Sequence, residues 1–140
     1  MSCDLLVFDT DAAPADPKGF MAWFVTLAEW GEGLNYDDPA NTSGALRAWY
    51  REMIERFPAM NGPDAPTDDA AFDSDRITGY TCAARAIYVD FRWSAAEAAY
   101  QAVVELAGKH GLGFFDVSGS GEVWGPTESG YRPLFVATSQ

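Results

Sequence analysis

Apolar and polar positions along the chain follow two different periods, which predict where its strands and helices lie. Residues 4–9 hold four consecutive apolar side chains, a pattern typical of a strand that is covered on both faces or is central in its sheet. Residues 86–93 instead carry an apolar side chain at every second position, as expected of a half-buried strand. Residues 76–83 predict a further strand paired with it, because only a short connection separates the two stretches.

Three stretches have the spacing of amphipathic helices. The first starts after Asp16, with Pro17 at its first position, and ends near Gly31 or Gly33. In this stretch, the large apolar side chains return every three or four residues, so that they share one helical face.

The second and third predicted helices have clear stop signals. The second is capped by Thr42 or Ser43, has its apolar face over residues 46–57 and ends before Pro58, which cannot continue a helix. The third opens with Ser94, which forms a predicted capping box with Glu97, and it closes before Gly111. Its many alanines would let it approach a sheet closely.

The order of these elements predicts an α+β fold. Further strands are expected at residues 112–117, at residues 122–124 and within the tail 131–140. Taking the first two helices as one connection gives the ferredoxin-like split βαβ arrangement, β-α-α-β-β-α-β, followed by a short C-terminal hairpin or edge strand. We expect a single domain over residues 1–140, with a central first strand, helices on one face of the sheet and the other face open.

The charge is strongly unbalanced, with 21 acidic and 9 basic side chains and a formal net charge of −12. Such a chain is repelled by the phosphates of nucleic acid and by an anionic membrane surface, so neither is an expected partner. A cationic protein is favoured, since opposite charge speeds encounter. The alternative is that the acidity serves only solubility.

The chain is expected to be a soluble cytoplasmic protein. Cys3 and Cys82 are its only cysteines, too few for a disulfide framework or a thiolate zinc site. The first residues lack the basic segment of a signal peptide. No apolar stretch approaches the roughly 20 residues that cross a bilayer.

Two candidates for catalysis are weak. Asp9 and Asp11 follow the first strand one residue apart, like the nucleophile and general acid of haloacid-dehalogenase-type phosphohydrolases. The Gly-Thr turn of those enzymes is replaced by two alanines here, and we expect two solvated loop aspartates. His110, the only histidine, suits a helix C-terminus, where the dipole favours positive charge. The sequence therefore predicts no catalytic residue and no enzyme.

No metal or cofactor site is predicted. The aspartates of residues 64–75 lack the central Gly and the final Glu of an EF-hand loop. Residues 117–125 are rich in glycine, but no lysine and no helix follows as in a phosphate-binding loop. Both stretches are interpreted as solvated loops.

Two acidic loops are the predicted partner-binding residues. Aromatic and acidic side chains are mixed around residues 30–38, a combination that suits a cationic protein, although the aromatics could instead close the core beneath the loop. The prediction names Glu32, Asp37 and Asp38 first, then Asp68, Asp69, Asp73 and Asp75, together with the aromatic residues Trp30 and Tyr36.

Three segments, CDLLVFD, ALRAWYREMIERFP and WSAAEAAYQAVVELAGKHGLGFFDV, resemble a widespread group of small uncharacterised bacterial proteins. These open with a Tyr-Asp-Leu-x-Val-Trp-like strand and carry a later LAxxHGLxxFDP-like segment. The chain departs from that pattern at Cys3, where an aromatic is usual, and at Val117, where proline is usual. Members resemble proteins encoded near secreted polymorphic toxins, which implies a cytoplasmic immunity role. The resemblance carries over no functional residue.

Two functional hypotheses follow, and a third concerns assembly. The first is a non-catalytic, immunity-type inhibitor that neutralises a basic toxin, such as a nuclease, with carboxylates that mimic phosphates. The second is a small-molecule-binding or enzymatic domain with a pocket between the open sheet face and the C-terminal tail. The third is a homodimer through the exposed sheet face.

Overall fold

The computed structural model describes residues 2–27 and 36–137. Within these residues the chain is an α+β fold with one six-stranded sheet and three α-helices. The strands are β1 (Ser2–Phe8), β2 (Thr78–Cys82), β3 (Ala86–Arg92), β4 (Gly113–Asp116), β5 (Glu122–Thr127) and β6 (Gly130–Val136). The helices are α1 (Pro17–Leu27), α2 (Gly44–Arg56) and α3 (Ala96–Lys109). None of the described helices is both long and apolar enough to cross a lipid bilayer.

The strand order is β2-β3-β1-β4-β5-β6, and every neighbouring pair is antiparallel. Strand β1 lies inside the sheet, where Leu5 is opposite Val89 of β3 and Asp116 of β4. Successive side chains of β1 point to opposite faces, so Leu5 and Leu6 belong to different cores. The prediction of a central first strand is confirmed, and apolar side chains cover β1 on both faces.

The larger core lies between the sheet and helices α2 and α3. Trp49 and Met53 of α2 and Val103 of α3 are fully buried against Leu5 and Val89 of the sheet. The indole Nε1–H of Trp49 donates to the carbonyl of Val103 at 3.4 Å, which joins the two helices. Burial of each large apolar side chain in this core favours the folded state by roughly 1.5–3 kcal/mol.

Helix α1 covers the opposite face, so the prediction that all helices lie on one face is wrong. Phe20 of α1 is fully buried, and its ring centroid lies 5.3 Å from that of Phe8 and 5.0 Å from that of Phe115. The apolar run of β1 places large side chains on both faces of the sheet. Helix α1 packs over the second face and shields Leu6 and Phe8 from water. The face expected to hold a pocket or a homodimer contact is therefore occupied, over this part of the sheet, by α1.

Both outer strands carry features that hinder pairing with another sheet. The backbone of Thr78 in β2 bonds to Pro58 and Met60, and the side chain of Asn61 bonds to both the N–H and the carbonyl of Tyr80. On the other edge, β6 contains Pro133, which has no N–H, beside a bulge in its register with β5. Proline and bulges are common protections of sheet edges.

The predicted capping box of α3 is wrong. Residues Trp93–Ala95 form a short 3-10 helix, and the residue at the N-cap of α3 is Ala95, without a side-chain cap. Ser94 therefore lies inside a helical turn and does not precede one. This turn also carries Trp93 out of the alternating pattern of β3, so that its side chain is 58% exposed.

Candidate partner-binding surface

Asp9 and Asp11 have a structural role, and the prediction of two solvated loop aspartates is wrong for Asp9. Its carboxylate is buried and accepts a 2.7 Å bond from Nε of Arg85, while its other oxygen accepts from the Ser43 hydroxyl at 3.0 Å. Asp11 pairs with the same guanidinium but is exposed. With both oxygens of Asp9 occupied by ion-pair and capping partners, the pair is not arranged as a nucleophile and a general acid.

His110 is held at the C-terminus of α3, as the sequence predicts. Its Nε2 contacts Glu52 of α2, and Nζ of Lys109 donates to the same carboxylate at 2.6 Å. Lys109 first, and His110 second, lower the pKa of Glu52 below its usual range. The cluster ties the end of α3 to α2.

The first acidic loop packs against the start of the second, beside the β2 edge. The Asn61 side chain donates to Asp37 Oδ1 at 2.7 Å, and the Cys82 amide donates to the Tyr36 carbonyl at 2.6 Å. Gly62 lies so close to the Asp37 carbonyl that a Cβ there would be 2.2 Å from its oxygen. Residues 36–41 and 60–65 therefore pack directly against each other.

Hydrogen bonds hold the acidic loops in defined positions. Asp38 caps the short 3-10 helix Pro39–Asn41 by accepting from the Ala40 amide at 2.9 Å. Arg47 of α2 donates to the carbonyls of Ala40 and Thr42. On the second loop, the hydroxyl of Tyr50 donates to Asp64 at 2.8 Å. Because these contacts already order the loops, less conformational entropy is lost when a partner binds.

We define the acidic surface by the described side chains of these two loops. It consists of Tyr36, Asp37, Asp38, Asp64, Asp68, Asp73 and Asp75. Tyr36 and Asp38 are half-buried, and the remaining members are exposed. Of the other predicted residues, Trp30 and Glu32 lie outside the described residues, and the structure gives the backbone of Asp69 only. Asp64 is a member that the partner-site prediction had left out.

Arginines lie beside the acidic surface. Arg47 and Arg51 line one pocket with Asp38 and Asp64, and Arg92 bonds to the carbonyl of Phe72. Asp64, Asp68, Asp73 and Asp75 make no ion pair with any part of the chain that the structure describes. Arg85 and Lys109 instead pair with acids elsewhere, as does Arg56 with Glu105 at 3.6 Å. The negative charge of the first acidic loop also affects a buried side chain, that of Cys82. Burial raises the pKa of the Cys82 thiol to about 12, and Asp38 and Asp37 raise it in the same direction.

A groove of about 370 Å³ lies near the acidic surface, and sequence reasoning missed it. It opens between the first turns of α3 and the ends of β1 and β4. Its lining consists of Cys3, Trp93, Ala96, Glu97, Tyr100, Gln101, Asp116, Ser118 and Gly119. The alternation of residues 86–93 places Trp93 inward, and only the 3-10 turn moves it to the rim of this groove.

Asp116 is the most deeply placed charged group of the groove. It is buried, and it accepts hydrogen bonds from the amides of Gly119 and Ser120 and from the Ser120 hydroxyl, at 3.0 to 3.2 Å. The nearby Cys3 thiol is buried too, and burial, then Asp116, raise its pKa. A thiol with a raised pKa is a poor nucleophile, so Cys3 serves as an apolar wall.

Comparison with protein-family models, with curated proteins and with solved structures finds no match to this chain. The resemblance to immunity proteins therefore remains an expectation. Among the residues that the structure describes, no group of three or more His, Cys, Asp or Glu side chains is arranged to hold a metal ion. The geometry of the acidic surface and of the groove is what supports a function.

Proposed function

We propose that this protein binds a cationic protein through the acidic surface and acts without catalysing a reaction. In this proposal the partner is a basic toxin, such as a nuclease, and the protein is its immunity-type inhibitor in the cytoplasm. Carboxylates held in fixed positions occupy the sites on a basic protein where the phosphates of a nucleic acid would bind. The proposal requires no metal, cofactor or nucleic acid.

One observation carries the proposal: two acidic segments that are distant in sequence pack together, and within the part of the chain that the structure describes four of their exposed carboxylates form no ion pair, those of Asp64, Asp68, Asp73 and Asp75. Asp37 packs against Asn61 and Gly62 of the second segment, and Asp38 lines the same pocket as Asp64. Carboxylates without ion pairs repel one another, and a cationic partner relieves that repulsion. Acidity needed only for solubility does not require such grouping.

The test compares two variants that remove the same charge from different places. In the first, Asp68, Asp73 and Asp75 become Asn, which keeps an oxygen for the 3.0 Å bond from the Ala70 amide to Asp68. In the control, the exposed residues Glu55, Glu105 and Glu128 become Gln. The partner for this test is the product of whichever neighbouring gene encodes a basic protein. We expect the first variant to bind it about tenfold more weakly, because its carboxylates form the contact.

The control separates the effect of losing specific carboxylate contacts from the effect of lowering the net negative charge. We expect it to bind within about twofold of the native protein, and we expect poly-lysine to bind both variants alike. Isothermal titration at about 50 mM and about 0.5 M salt measures both effects, since salt screens the encounter. Equal affinities of the two variants for the neighbouring protein would contradict the assignment of the surface.

A second candidate function rests on another groove. A groove of about 460 Å³ lies between α1 and the sheet, lined by Met21, Phe24, Val25, Phe115, Val117, Gly119, Ser120, Gly121 and Ala137. Its volume is in the range of small-molecule sites. Its lining contains no titratable side chain, which favours an apolar ligand over catalysis. A thermal-shift screen with Phe24→Ala as control tests this function, and a ligand that stabilises both forms equally does not use the groove.

We also propose that the fold contains a ferredoxin-like split βαβ unit built from β1, α2, β2, β3, α3 and β4. The order β2-β3-β1-β4 and the shared core of α2 and α3 support it. In this description α1 and the hairpin β5-β6 are additions to that unit. An experimental structure of the chain tests the proposal.

A further inference from the structure

The lining of the groove beside α3 combines aromatic and acidic side chains, without any base. Trp93 and Tyr100 provide the aromatic rings, and Glu97 and Asp116 provide the carboxylates. Trp93 and Glu97 are exposed, whereas Asp116 is buried at the base of the groove. Aromatic faces and carboxylates both attract cations. The groove is therefore complementary to a positively charged group that has an apolar body.

The two carboxylates of the groove are placed in different ways. The hydrogen bonds that Asp116 accepts from Gly119 and Ser120 hold its carboxylate in one position. Glu97 lies in the first turn of α3, where it offsets the partial positive charge of the helix N-terminus. A cation in the groove thus meets a buried, fixed carboxylate and an exposed one.

The groove continues the acidic surface. The guanidinium of Arg92 donates to the carbonyl of Phe72 at 2.7 Å, so the second acidic loop is joined to the residue directly before Trp93. Phe72 and Trp93 are both exposed, at 36% and 58%. Exposed aromatic residues next to a charged rim are typical of the centres of protein interfaces.

We propose that this groove is an anchor pocket for one arginine side chain of the partner. This inference rests on the proposed function, since it assigns the partner's central contact. The planar guanidinium stacks on the ring of Trp93 while its N–H groups reach Glu97, and the apolar part of the side chain lies against Ala96 and Tyr100. Lysine fits less well, because its ammonium is a strongly hydrated point charge that does not stack.

The direct test uses small probes and nuclear magnetic resonance. N-acetyl-arginine-N-methylamide is titrated into the labelled protein, with the uncharged citrulline analogue and the lysine analogue as comparisons. We expect the arginine probe to shift the indole resonance of Trp93 and the amides of Tyr100 and Gly119, with citrulline at least about fivefold weaker. Equal responses to arginine and citrulline, or to arginine and lysine, overturn the assignment.

Variants localise the effect. Glu97→Gln is expected to weaken the arginine probe about fivefold, whereas Glu105→Gln on the same helix, which removes an equal charge outside the groove, changes it by less than about twofold. Trp93→Ala is expected to weaken it about tenfold, with Gly119 as reporter. If Glu97→Gln and Glu105→Gln have the same effect, the groove is not the binding site.

The two proposals fail separately. If the Asp68, Asp73 and Asp75 variant loses the neighbouring basic protein while Trp93→Ala retains native affinity, the acidic surface stands and the anchor pocket is overturned. If the arginine probe binds in the groove but no variant of the acidic surface changes binding of that protein, the pocket stands and the proposed function is overturned.

Discussion

At the scale of single residues, the least expected feature is a pair of carboxylates that face each other across two strands. Asp4 of β1 is directly opposite Asp90 of β3. The hydroxyl of Tyr88 donates to Asp4 at 2.5 Å, and the carboxylate of Asp90 lies over Gly79, where a Cβ would be 2.1 Å from its Oδ1. Burial first, and the charge of Asp4 second, raise the pKa of Asp90.

This pair predicts that Asp90→Asn stabilises the protein at neutral pH. A carboxyl group with a raised pKa in the folded state binds its proton more tightly there than in the unfolded chain. Stability is therefore lost as pH rises from the unfolded pKa, about 3.9, through the folded one. Removing the charge is expected to raise the free energy of unfolding by about 0.5 kcal/mol at pH 7.

Urea unfolding at pH 7 and at about pH 5 measures the effect, with Asp73→Asn as the control for the loss of one negative charge. The advantage of Asp90→Asn over that control should shrink at the lower pH, because the raised pKa of Asp90 gives it a larger protonated fraction there than at pH 7. A larger advantage at pH 5 would contradict the prediction.

At the scale of elements, Asp9 joins three parts of the fold that the sequence treats separately. It ends β1, it bonds to Ser43 at the N-cap of α2, and it pairs with Arg85 in the connection between β2 and β3. The spacing of Asp9 and Asp11 is visible in the sequence, but their partners are distant in the chain. The spacing of the two aspartates resembles a phosphohydrolase motif, but in the fold Asp9 links β1 to α2 and to the β2–β3 connection.

Asp9 and Asp11 form a matched pair for testing this role. Asp9→Asn is expected to lower the free energy of unfolding by about 1–2 kcal/mol, because a nearly buried carboxylate loses a charge-assisted bond to a half-exposed arginine. Asp11→Asn, at an exposed position that contacts the same arginine, is expected to cost less than about 0.5 kcal/mol. Urea unfolding of both variants decides the matter, and equal losses would show that burial of Asp9 is unimportant.

The elements themselves were largely predictable, and their environment was not. The periodicity over residues 46–57 and the stop at Pro58 predict α2, which spans Gly44–Arg56, since both signals are local. The same kind of signal identifies α1 but does not say which face of the sheet it covers. Trp93 was misplaced because alternation cannot show where a strand passes into a 3-10 turn.

At the scale of the whole molecule, the charge acts on stability and association in opposite ways. With a net charge of −12, carboxylates repel one another across the folded surface, and salt screens this repulsion. Salt is expected to weaken binding of a cationic partner for the same reason. The protein alone and the complex should therefore respond to salt with opposite signs.

The free protein should become more stable as salt is added. Between about 10 mM and about 0.3 M sodium chloride, we expect Tm to rise by a few degrees, equivalent to about 1 kcal/mol for a domain of this size. Calorimetry with sodium chloride measures it. A fall in Tm would mean that the ion pairs of Asp9, Asp11, Glu52 and Glu105 contribute more than the repulsion costs.

The candidate surface was partly predictable. Composition placed aspartates in two loops, but Asn61 and Gly62, which join those loops, carry no charge and give no signal of their role. The groove at Trp93 depends on residues from β1, α3 and β4 that meet only in the folded chain. No local sequence pattern predicts that these residues lie together.

Local patterns were enough to predict most helices and strands, the central position of β1 and the excess of negative charge, because periodicity, turn residues and composition act over a few neighbouring positions or over the chain as a sum. Long-range contacts fix the cover of the second face by α1, the pairing of Asp9 with Arg85, the packing of Asp37 against Asn61 and the link from Phe72 to Arg92 beside the groove. Those outcomes depend on contacts between residues far apart in the chain. A period shows that a face is buried, but it does not show what buries it.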